Sequence, residues 1–191
     1  MPNNQEDSGL DFDPEAHKQR LAPGVILAAR DLLSDENFDS AIVLLCQYGV
    51  EGAYGLVLNR PAHMPLSEIF DHPPESVSPA KNRRVYMGGP VQPVELQILQ
   101  IGVESAPGSH EVAAGVHLGG AWEELDEILS QNPKNLRIFL GYSGWAGGQL
   151  EQEIELGAWE VFKTDLAKLL LGPEEPWFGG SEQFKGFLAT L

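Results

Sequence analysis

The apolar positions of the chain fall into short runs that predict strands. One unbroken run, at 41–46, does not alternate with polar residues, which is typical of a strand covered on both faces at the centre of a sheet. Further β-rich runs predict strands at 24–29, 54–58, 84–87, 96–101, 116–118, 136–140 and 159–162. Because a short connection bounded by Gly49 and Gly52 separates 41–46 from 54–58, these two segments are expected to form a hairpin.

Apolar residues at helical spacing predict helices as well. They are expected at 66–70, 122–131, 149–156 and 164–171. In the third of these, Leu150 and Ile154 share one face, and in the last Thr164 is expected to be the cap and Gly172 and Pro173 to end the helix. Hairpins mixed with strand–helix–strand segments predict an α+β domain.

The two ends of the chain differ from its middle. Residues 1–20 are polar and acidic, and they have too few apolar side chains to offset the entropy lost on folding. We therefore expect a disordered acidic tail at 1–20 and a single domain at 21–191, with a proline-containing loop at 71–82. After Pro173 the pattern leaves the form of the chain open, although Trp177, Phe184 and Phe187 are expected to pack on the domain.

Charge and cysteine content narrow the classes of function. The chain has 12 Lys+Arg and 28 Asp+Glu, a formal net charge of −16. Such a surface repels the nucleic-acid backbone, so direct DNA binding is disfavoured, although Lys81, Arg83 and Arg84 form a short basic run. Cys46 is the single cysteine, which excludes an internal disulfide and fits a cytosolic protein. No apolar stretch is long enough for a membrane helix, so no membrane association is expected.

Three glycine- and proline-containing motifs stand out. They are G-Y-S-G-W-A-G-G-Q-L-E-Q-E at 141–153, L-N-R-P at 58–61 and G-G-P-V at 88–91. In order and separation they resemble the bacterial AlgH/YqgE family over 21–171. The resemblance implies a bent, bifurcated sheet rolled into a pseudo-barrel with helices packed outside. It also implies a link to transcriptional regulation, in a family whose biochemical activity is not established.

Residues of the long motif suggest several kinds of chemistry, each with a simpler structural alternative. G-Y-S-G-W resembles the nucleophile elbow of serine hydrolases, but Trp145 occupies a position that requires a small residue, which favours a structural role for Ser143. Gly147 and Gly148 precede a helix and could bind an anion, or could simply shape the helix entry. Glu153 could act as a general base if desolvated, or could hold its loop by hydrogen bonds.

Metal and thiol chemistry have less support. The five histidines show no spacing that is typical of a metal site, so we expect neither a metal nor a cofactor. Cys46 lies in the most apolar strand, where a thiol is usually an inert part of the core.

The three motifs each end or connect predicted strands, and function is usually placed in loops at the ends of a sheet, which leads to the hypothesis that the three motifs meet. The resulting hypothesis is a binding groove lined by Asn59, Arg60, Gly89, Tyr142, Trp145, Gln149 and Glu153. It predicts a binding or regulatory protein that recognises a protein or a small ligand. The alternative is a hydrolase or transferase that uses the loop and helix at 142–153.

Overall fold

The centre of the structure is one curled sheet. The computed structural model describes residues 12–30, 38–71, 84–102, 106–120, 123, 125–130, 135–178 and 180–191. Its strands are β1 (Ile26–Ala29), β2 (Ile42–Gly49), β3 (Gly52–Val57), β4 (Val85–Met87), β5 (Val91–Ile101), β6 (Ser109–Ala113), β7 (Val116–Gly119), β8 (Leu136–Ala146) and β9 (Trp159–Phe162). Its helices are α1 (Pro14–Lys18), α2 (Leu125–Ser130), α3 (Gln149–Glu155), α4 (Leu166–Leu171) and α5 (Gly180–Leu188), and short 3₁₀ turns lie at Leu66–Glu68 and Glu175–Phe178. The predicted α+β class is confirmed.

The strand order shows how the sheet is assembled. Within the described ranges the order is β6-β7-β5-β8-β3-β2-β1-β9, and β4 pairs with β8 outside this path. Neighbouring strands are antiparallel apart from the parallel pair β4 and β8. The predicted hairpin is present as β2 and β3, with Gly49 opposite Gly52. Strand β2 lies inside the sheet, one place away from the middle pair β8 and β3, rather than at the centre.

Strand β8 joins the two halves of the sheet. Its first part pairs with β4 and β5, and its last part, from Ser143 to Ala146, pairs with β3. Gly141 lies between the two parts with φ +67°, a left-handed conformation that glycine adopts at little cost. The prediction that this strand ends at Leu140 is therefore wrong, because the glycine bends the strand without ending it.

The curl brings the two ends of the sheet towards each other. Nε2 of Gln47, on β2, lies 3.4 Å from Nε2 of His110, on β6. A Cβ on Gly24, just before β1, would lie 2.9 Å from Cβ of Ala113, at the end of β6. The sheet is thus a half-barrel, as the family resemblance implied.

The sheet has hydrophobic cores on both faces. Inside the curl, Leu44, Leu56, Leu99 and Phe139 pack with other fully or almost fully buried residues and with the C-terminal segment. On the outer face of the β1–β2–β3–β9 half, a second core forms under α3, where Leu150 and Ile154 share a buried face as predicted. A third core lies under α2, and its buried residues Leu125, Ile128 and Leu129 match the predicted helical spacing.

Regular structure begins before residue 21, where the sequence predicted the domain to start. Residues 1–11 of the expected tail lie outside the described residues, but Pro14–Lys18 form α1, which Asp13 caps through hydrogen bonds from Glu15 N and Ala16 N. Nδ1 of His17 accepts a hydrogen bond of 3.1 Å from Val161 N, and Arg20 donates to Val161 O at 3.2 Å. Helix α1 is thereby fixed to β9.

The C-terminal region completes the inner core. Asp165, rather than the expected Thr164, caps α4, because its carboxylate accepts a hydrogen bond from Lys168 N. After Gly172 the chain forms the 3₁₀ turn and α5, and Trp177 and Phe184 are fully buried in the core inside the curl. The expectation that the chain packs back on the domain is correct for these two aromatic residues and for Phe187, which is partly buried against the same core.

Other sequence predictions differ in detail. The helix at 66–70 is a single 3₁₀ turn, and β6 has no counterpart among the predicted strands. Trp122 and Gln131, the ends of the predicted second helix, lie outside the described residues, as do Lys81, Arg83 and the proline-containing loop from 72 onward. No helix in the described part of the chain is long and apolar enough to cross a membrane.

Candidate functional site

The three motifs meet where the two halves of the sheet join. Gly88 N donates to Leu140 O at 2.8 Å, and Gly88 O accepts from Val57 N at 2.9 Å. Met87 N, next to Gly88, donates to Arg60 O at 2.7 Å. The L-N-R-P and G-G-P-V motifs are thus connected to each other and to β8 through backbone hydrogen bonds. These contacts form the seam of the sheet.

The glycines of the seam permit a very close approach of backbones. Gly89 has φ +153°, and a Cβ there would lie 2.3 Å from the carbonyl carbon of Tyr142. A Cβ on Gly88 would lie 2.3 Å from Gly141 O. Any side chain at either position would collide with the backbone of β8, so the two glycines are explained by packing of the chain against itself.

Ser143 is part of this seam. Its side chain is fully buried, and its hydroxyl donates a hydrogen bond of 3.2 Å to Gly88 O. It lies within β8, opposite Gly55 of β3, rather than on a turn between a strand and a helix. The geometry of a nucleophile elbow is therefore missing, and Ser143 supports the structure.

Glu153 is the best-connected residue of the long motif. Its Oε2 accepts hydrogen bonds from Trp145 Nε1 at 2.9 Å and Trp159 Nε1 at 2.8 Å, and its Oε1 accepts one of 2.9 Å from Gln149 Nε2. We call these four residues the Glu153 cluster. It joins α3 to β8 and β9. Oε1 of Gln149 also accepts a hydrogen bond from Ala146 N at 3.0 Å, which closes the turn between β8 and α3.

Asn59 and Arg60 hold a turn at Phe38–Ser40. Oδ1 of Asn59 accepts from Ile42 N at 2.9 Å, and its Nδ2 donates to Ser40 O at 2.9 Å and to Trp177 O at 3.0 Å. Arg60 donates to Asp39 O at 2.8 Å. The Asn59 amide thus connects three separate segments of the chain.

The same turn reaches the Glu153 cluster. The ring of Phe38 stacks on Trp145 with centroids 6.1 Å apart, and it meets the edge of Trp159 at 5.5 Å. Arg60 and Trp145 are therefore linked through one short turn.

Tyr142 lies on the other face of the sheet. It stacks on Tyr54 with ring centroids 4.6 Å apart, and both rings pack against the core inside the curl, whereas Trp145 belongs to the core under α3. The structure thus brings Trp145, Gln149 and Glu153 together, places Asn59 and Arg60 at a neighbouring turn, and separates Tyr142 from them by the sheet. At Gly89, the three atoms nearest to an added Cβ would all belong to the backbone of β8.

The exposed side of the Glu153 cluster is the surface around α3. The turn between β8 and α3 lies against the turn between β2 and β3 there, since a Cβ on Gly147 would be 2.5 Å from Val50 O. Val50 is 93% exposed, and Leu156, at the other end of α3, is 78% exposed. With the exposed Glu51, Gln149 and Gln152 they form what we call the α3 surface.

Gly147 and Gly148 do not form a simple anion site. Gly148 has φ +79° and precedes α3, and Glu151 lies in the first turn of the helix. The Glu151 carboxylate accepts a hydrogen bond of 2.6 Å from the Tyr48 hydroxyl. Burial and this hydrogen bond raise the pKa of Tyr48 to about 12. The glycines therefore shape the turn, and a carboxylate is already present beside it.

A second charged cluster was not predicted from the sequence. Oε2 of Glu174 accepts hydrogen bonds from Arg84 at 2.9 Å and from the Tyr86 hydroxyl at 2.6 Å, and its Oε1 pairs with Arg137. Arg137 also donates to Leu170 O, and its guanidinium lies 4.5 Å from the centroid of the Trp177 ring. We call this the Glu174 cluster. It connects the C-terminal segment to β4 and β8.

The pKa shifts in the Glu174 cluster follow from burial and pairing. Burial alone would raise the pKa of Glu174, but the Tyr86 hydroxyl and the Arg137 guanidinium outweigh it and lower the pKa. Burial, followed by the hydrogen bond to Glu174, raises the pKa of Tyr86 to about 12. Glu174 is therefore held as a carboxylate and Tyr86 as a neutral phenol.

Cys46 has the environment expected of a core residue. It is buried in the core inside the curl, and burial raises the pKa of its thiol far above the usual range. Within the described ranges, no group of three or more His, Cys, Asp or Glu side chains is placed to hold a metal ion.

Comparison with known proteins identifies the family. A family model described as AlgH-like matches residues 25–182. The chain belongs to the AlgH-like family. The resemblance in the three motifs is thereby confirmed, and the matched region is slightly longer at its C-terminal end than the motifs indicated.

Individual relatives and a solved structure support the assignment to the AlgH-like family. A UPF0301 protein of Chlorobium limicola is 36% identical over 170 residues, which is 87% of this chain and 88% of the relative. One of Myxococcus xanthus is 36% identical over 157 residues, or 82% and 85% of the two chains. The solution structure of the AlgH protein from Pseudomonas aeruginosa has a TM-score of 0.67 at 27% identity and covers 88% of this chain and 87% of its own. The solved AlgH structure therefore shares the fold of this chain.

Proposed function

We propose that this AlgH-like protein is a binding protein with a regulatory role, and that the α3 surface recognises a protein partner with a basic surface. The observation that carries the proposal is the Glu153 cluster, in which hydrogen bonds from Trp145 on β8 and Trp159 on β9 to the Glu153 carboxylate fix α3 to two strands. Because the helix is already held in place, little backbone freedom is left to lose when a partner binds to its outer face.

The exposed residues of the α3 surface fit a partner of this kind. Val50 and Leu156 are 93% and 78% exposed, and each can bury apolar area in an interface. Glu51 lies beside Val50, and the whole chain has a net charge of −16. An acidic surface attracts a basic partner over a distance and increases the rate of association.

The same contacts disfavour the enzyme hypothesis. A hydrolase or transferase that used residues 142–153 would need a nucleophile or a base with free lone pairs near open solvent. Ser143 is fully buried and donates to Gly88 O, and the Glu153 carboxylate accepts hydrogen bonds from three side chains. Both groups are therefore engaged in holding the structure together.

Direct DNA contact is disfavoured for a related reason. Besides the acidic net charge, many cations of the described chain already pair with carboxylates. They are Lys18, Arg30, Arg84, Arg137 and Lys185. A cation that pairs with an acid must give up that contact before it can replace the counterions of a phosphate.

The test compares two charge-bearing substitutions. The immobilised protein, its Leu156→Glu variant and its Val94→Glu variant are exposed to cell extract, and retained proteins are identified and then titrated as purified components. Val94 is 85% exposed and lies on β5, away from α3, so Val94→Glu is the matched control. We expect a basic partner that binds the wild type and Val94→Glu equally, that Leu156→Glu weakens at least about tenfold, and that salt weakens further.

Two results would contradict the proposal. One is a partner whose affinity is unchanged by Leu156→Glu and by Val50→Glu. The other is salt-sensitive binding to duplex DNA in a gel-shift titration, which would show phosphate contact.

A further inference from the structure

Helix α1 is attached to the domain mainly by polar contacts. None of its five residues is buried. Lys18 pairs with Glu155 of α3 near the surface, and such pairs contribute little to stability. Two further contacts lie on the outward edge of β9, where Nδ1 of His17 accepts from Val161 N at 3.1 Å and Arg20 donates to Val161 O at 3.2 Å. Helix α1 can therefore open locally while the sheet stays folded.

The contact between His17 and β9 depends on the protonation state of the imidazole. The partner of Nδ1 is a backbone N–H group, which can only donate, so Nδ1 must carry a free lone pair. An imidazolium ring has an N–H group on both nitrogens. A proton on Nδ1 would therefore place two donors face to face and remove the hydrogen bond to Val161 N.

The surroundings of His17 favour a neutral ring. The Phe12 ring stacks on the imidazole with centroids 4.8 Å apart. Arg30, directly after β1, lies 4.2 Å from the centroid of the same Phe12 ring, so a protonated imidazole would share one aromatic partner with a second cation. Glu160 of β9 is an acid close to His17, but its carboxylate already pairs with Arg30 at 3.5 Å and with Lys185 of α5 at 2.8 Å.

The pKa of His17 follows from these surroundings. Burial lowers the pKa below its ordinary value of 6.5, and the positive charges of Arg20 and Arg30 act in the same direction, against Glu160. Because the pKa is lower in the folded state, the stabilisation that α1 gains from neutral His17 is fully present above pH 6.5. This stabilisation is lost as the pH falls through the pKa of the folded state.

We propose that His17 is a pH-sensitive latch, which holds α1 on β9 while its ring is neutral and releases α1 when Nδ1 takes up a proton from solvent. Release frees the outward N–H and carbonyl groups of Val161, and it separates Lys18 from Glu155 of α3. The cores on the two faces of the sheet are retained, since α1 contributes no buried residue to them.

The test is NMR of the full-length, ¹⁵N-labelled protein from about pH 7.5 down to about pH 4.5, on both sides of the ordinary pKa of histidine. It follows the His17 ring, the hydrogen-exchange protection of the Val161 amide relative to its intrinsic rate at each pH, and the heteronuclear NOE of Ala16 in α1. We expect the protection to fall about tenfold and the NOE to decrease with the midpoint of the His17 titration. The Leu45 amide, which donates to Val25 O within the sheet, should stay protected.

Three variants separate the latch from a general effect of acid. His17→Asn keeps a side-chain acceptor that does not titrate in this range, so α1 should stay in place throughout. His17→Ala removes the acceptor, so α1 should be released at every pH while Leu45 remains protected. His63 is an exposed histidine between β3 and β4, and His63→Asn should keep the pH dependence of the wild type.

Three results would overturn the proposal. The first is a Val161 amide that stays protected while the His17 ring titrates. The second is a loss of protection in His17→Asn with the same midpoint as in the wild type, which would assign the effect to another group. The third is a helix α1 that stays ordered in His17→Ala, which would show that the imidazole does not hold it.

Discussion

Two carboxylates, Glu153 and Glu174, perform the same task in different halves of the molecule. Glu153 joins α3 to β8 and β9, and Glu174 joins the C-terminal segment to β4 and β8. Each accepts hydrogen bonds from three side chains. They differ in the charge of those donors, since Glu153 binds two indoles and an amide, whereas Glu174 binds two guanidiniums and a phenol.

The difference predicts how each cluster responds when it is broken. Loss of Glu153 leaves neutral N–H groups without an acceptor, which has a moderate cost. Loss of Glu174 leaves Arg137, whose side chain is only 8% exposed, as a buried charge without its carboxylate. Removing one member of a charged cluster thus destabilises the fold more than removing one member of a neutral cluster. The intact charged cluster does not necessarily stabilise the fold more than the neutral one.

The largest effect is expected from Glu174→Ala. It should lower the free energy of unfolding by about 3 kcal/mol, because Arg137 keeps its desolvation cost and loses its partner. Urea denaturation measures this change. Glu182→Ala is the control, since Glu182 is 85% exposed and pairs with Lys185 at the surface, and it should change stability by no more than about 0.5 kcal/mol. Equal effects of the two variants would contradict the importance of the buried charge.

An intermediate effect is expected from Glu153→Ala. It removes the acceptor of Trp145 and Trp159 and should cost about 2 kcal/mol. Glu153→Gln should cost less, because an amide oxygen can still accept one indole hydrogen bond. Urea denaturation followed by tryptophan fluorescence measures both. If Glu153→Ala proved more destabilising than Glu174→Ala, the comparison between neutral and charged donors would be reversed.

The smallest effect is a dependence on pH. The pKa of Glu174 is lower in the folded protein than its ordinary value of 4.5, so its stabilisation is fully present above that value and is lost as the pH falls through the folded pKa. The difference in unfolding free energy between wild type and Glu174→Gln should therefore shrink below pH 4.5. A difference that stays constant down to acidic pH would show that Glu174 is not held as a carboxylate by its partners.

Local patterns predicted much of the fold. The unbroken run at 41–46 and the spacing of Leu150 and Ile154 depend on near neighbours in the chain, and both match the structure. The path of β8 beyond Leu140 could not be predicted in the same way. Glycines at 141 and 144 are typical of a turn, and only the pairing with β3, about ninety residues earlier in the chain, makes this segment a strand.

The candidate site was predictable only within one helix. Gln149 and Glu153 are four residues apart, so their contact follows from helical geometry. Trp159 reaches the same carboxylate from another strand, and Glu174 meets Arg137 and Tyr86 across 37 and 88 residues of chain. No local pattern encodes such distances. The sequence therefore indicated which motifs meet but not that they meet mainly through their backbones.

The attachment of α1 has a consequence for solubility. Strand β9 ends the described sheet, and its outward N–H and carbonyl groups at Val161 are occupied by His17 and Arg20. A chain shortened to begin after Arg20 would leave these groups unpaired, and unprotected edge strands promote edge-to-edge pairing between molecules and thus aggregation. The first helix, though only five residues long, thus covers this edge strand and prevents the sheet of one molecule from pairing with that of another.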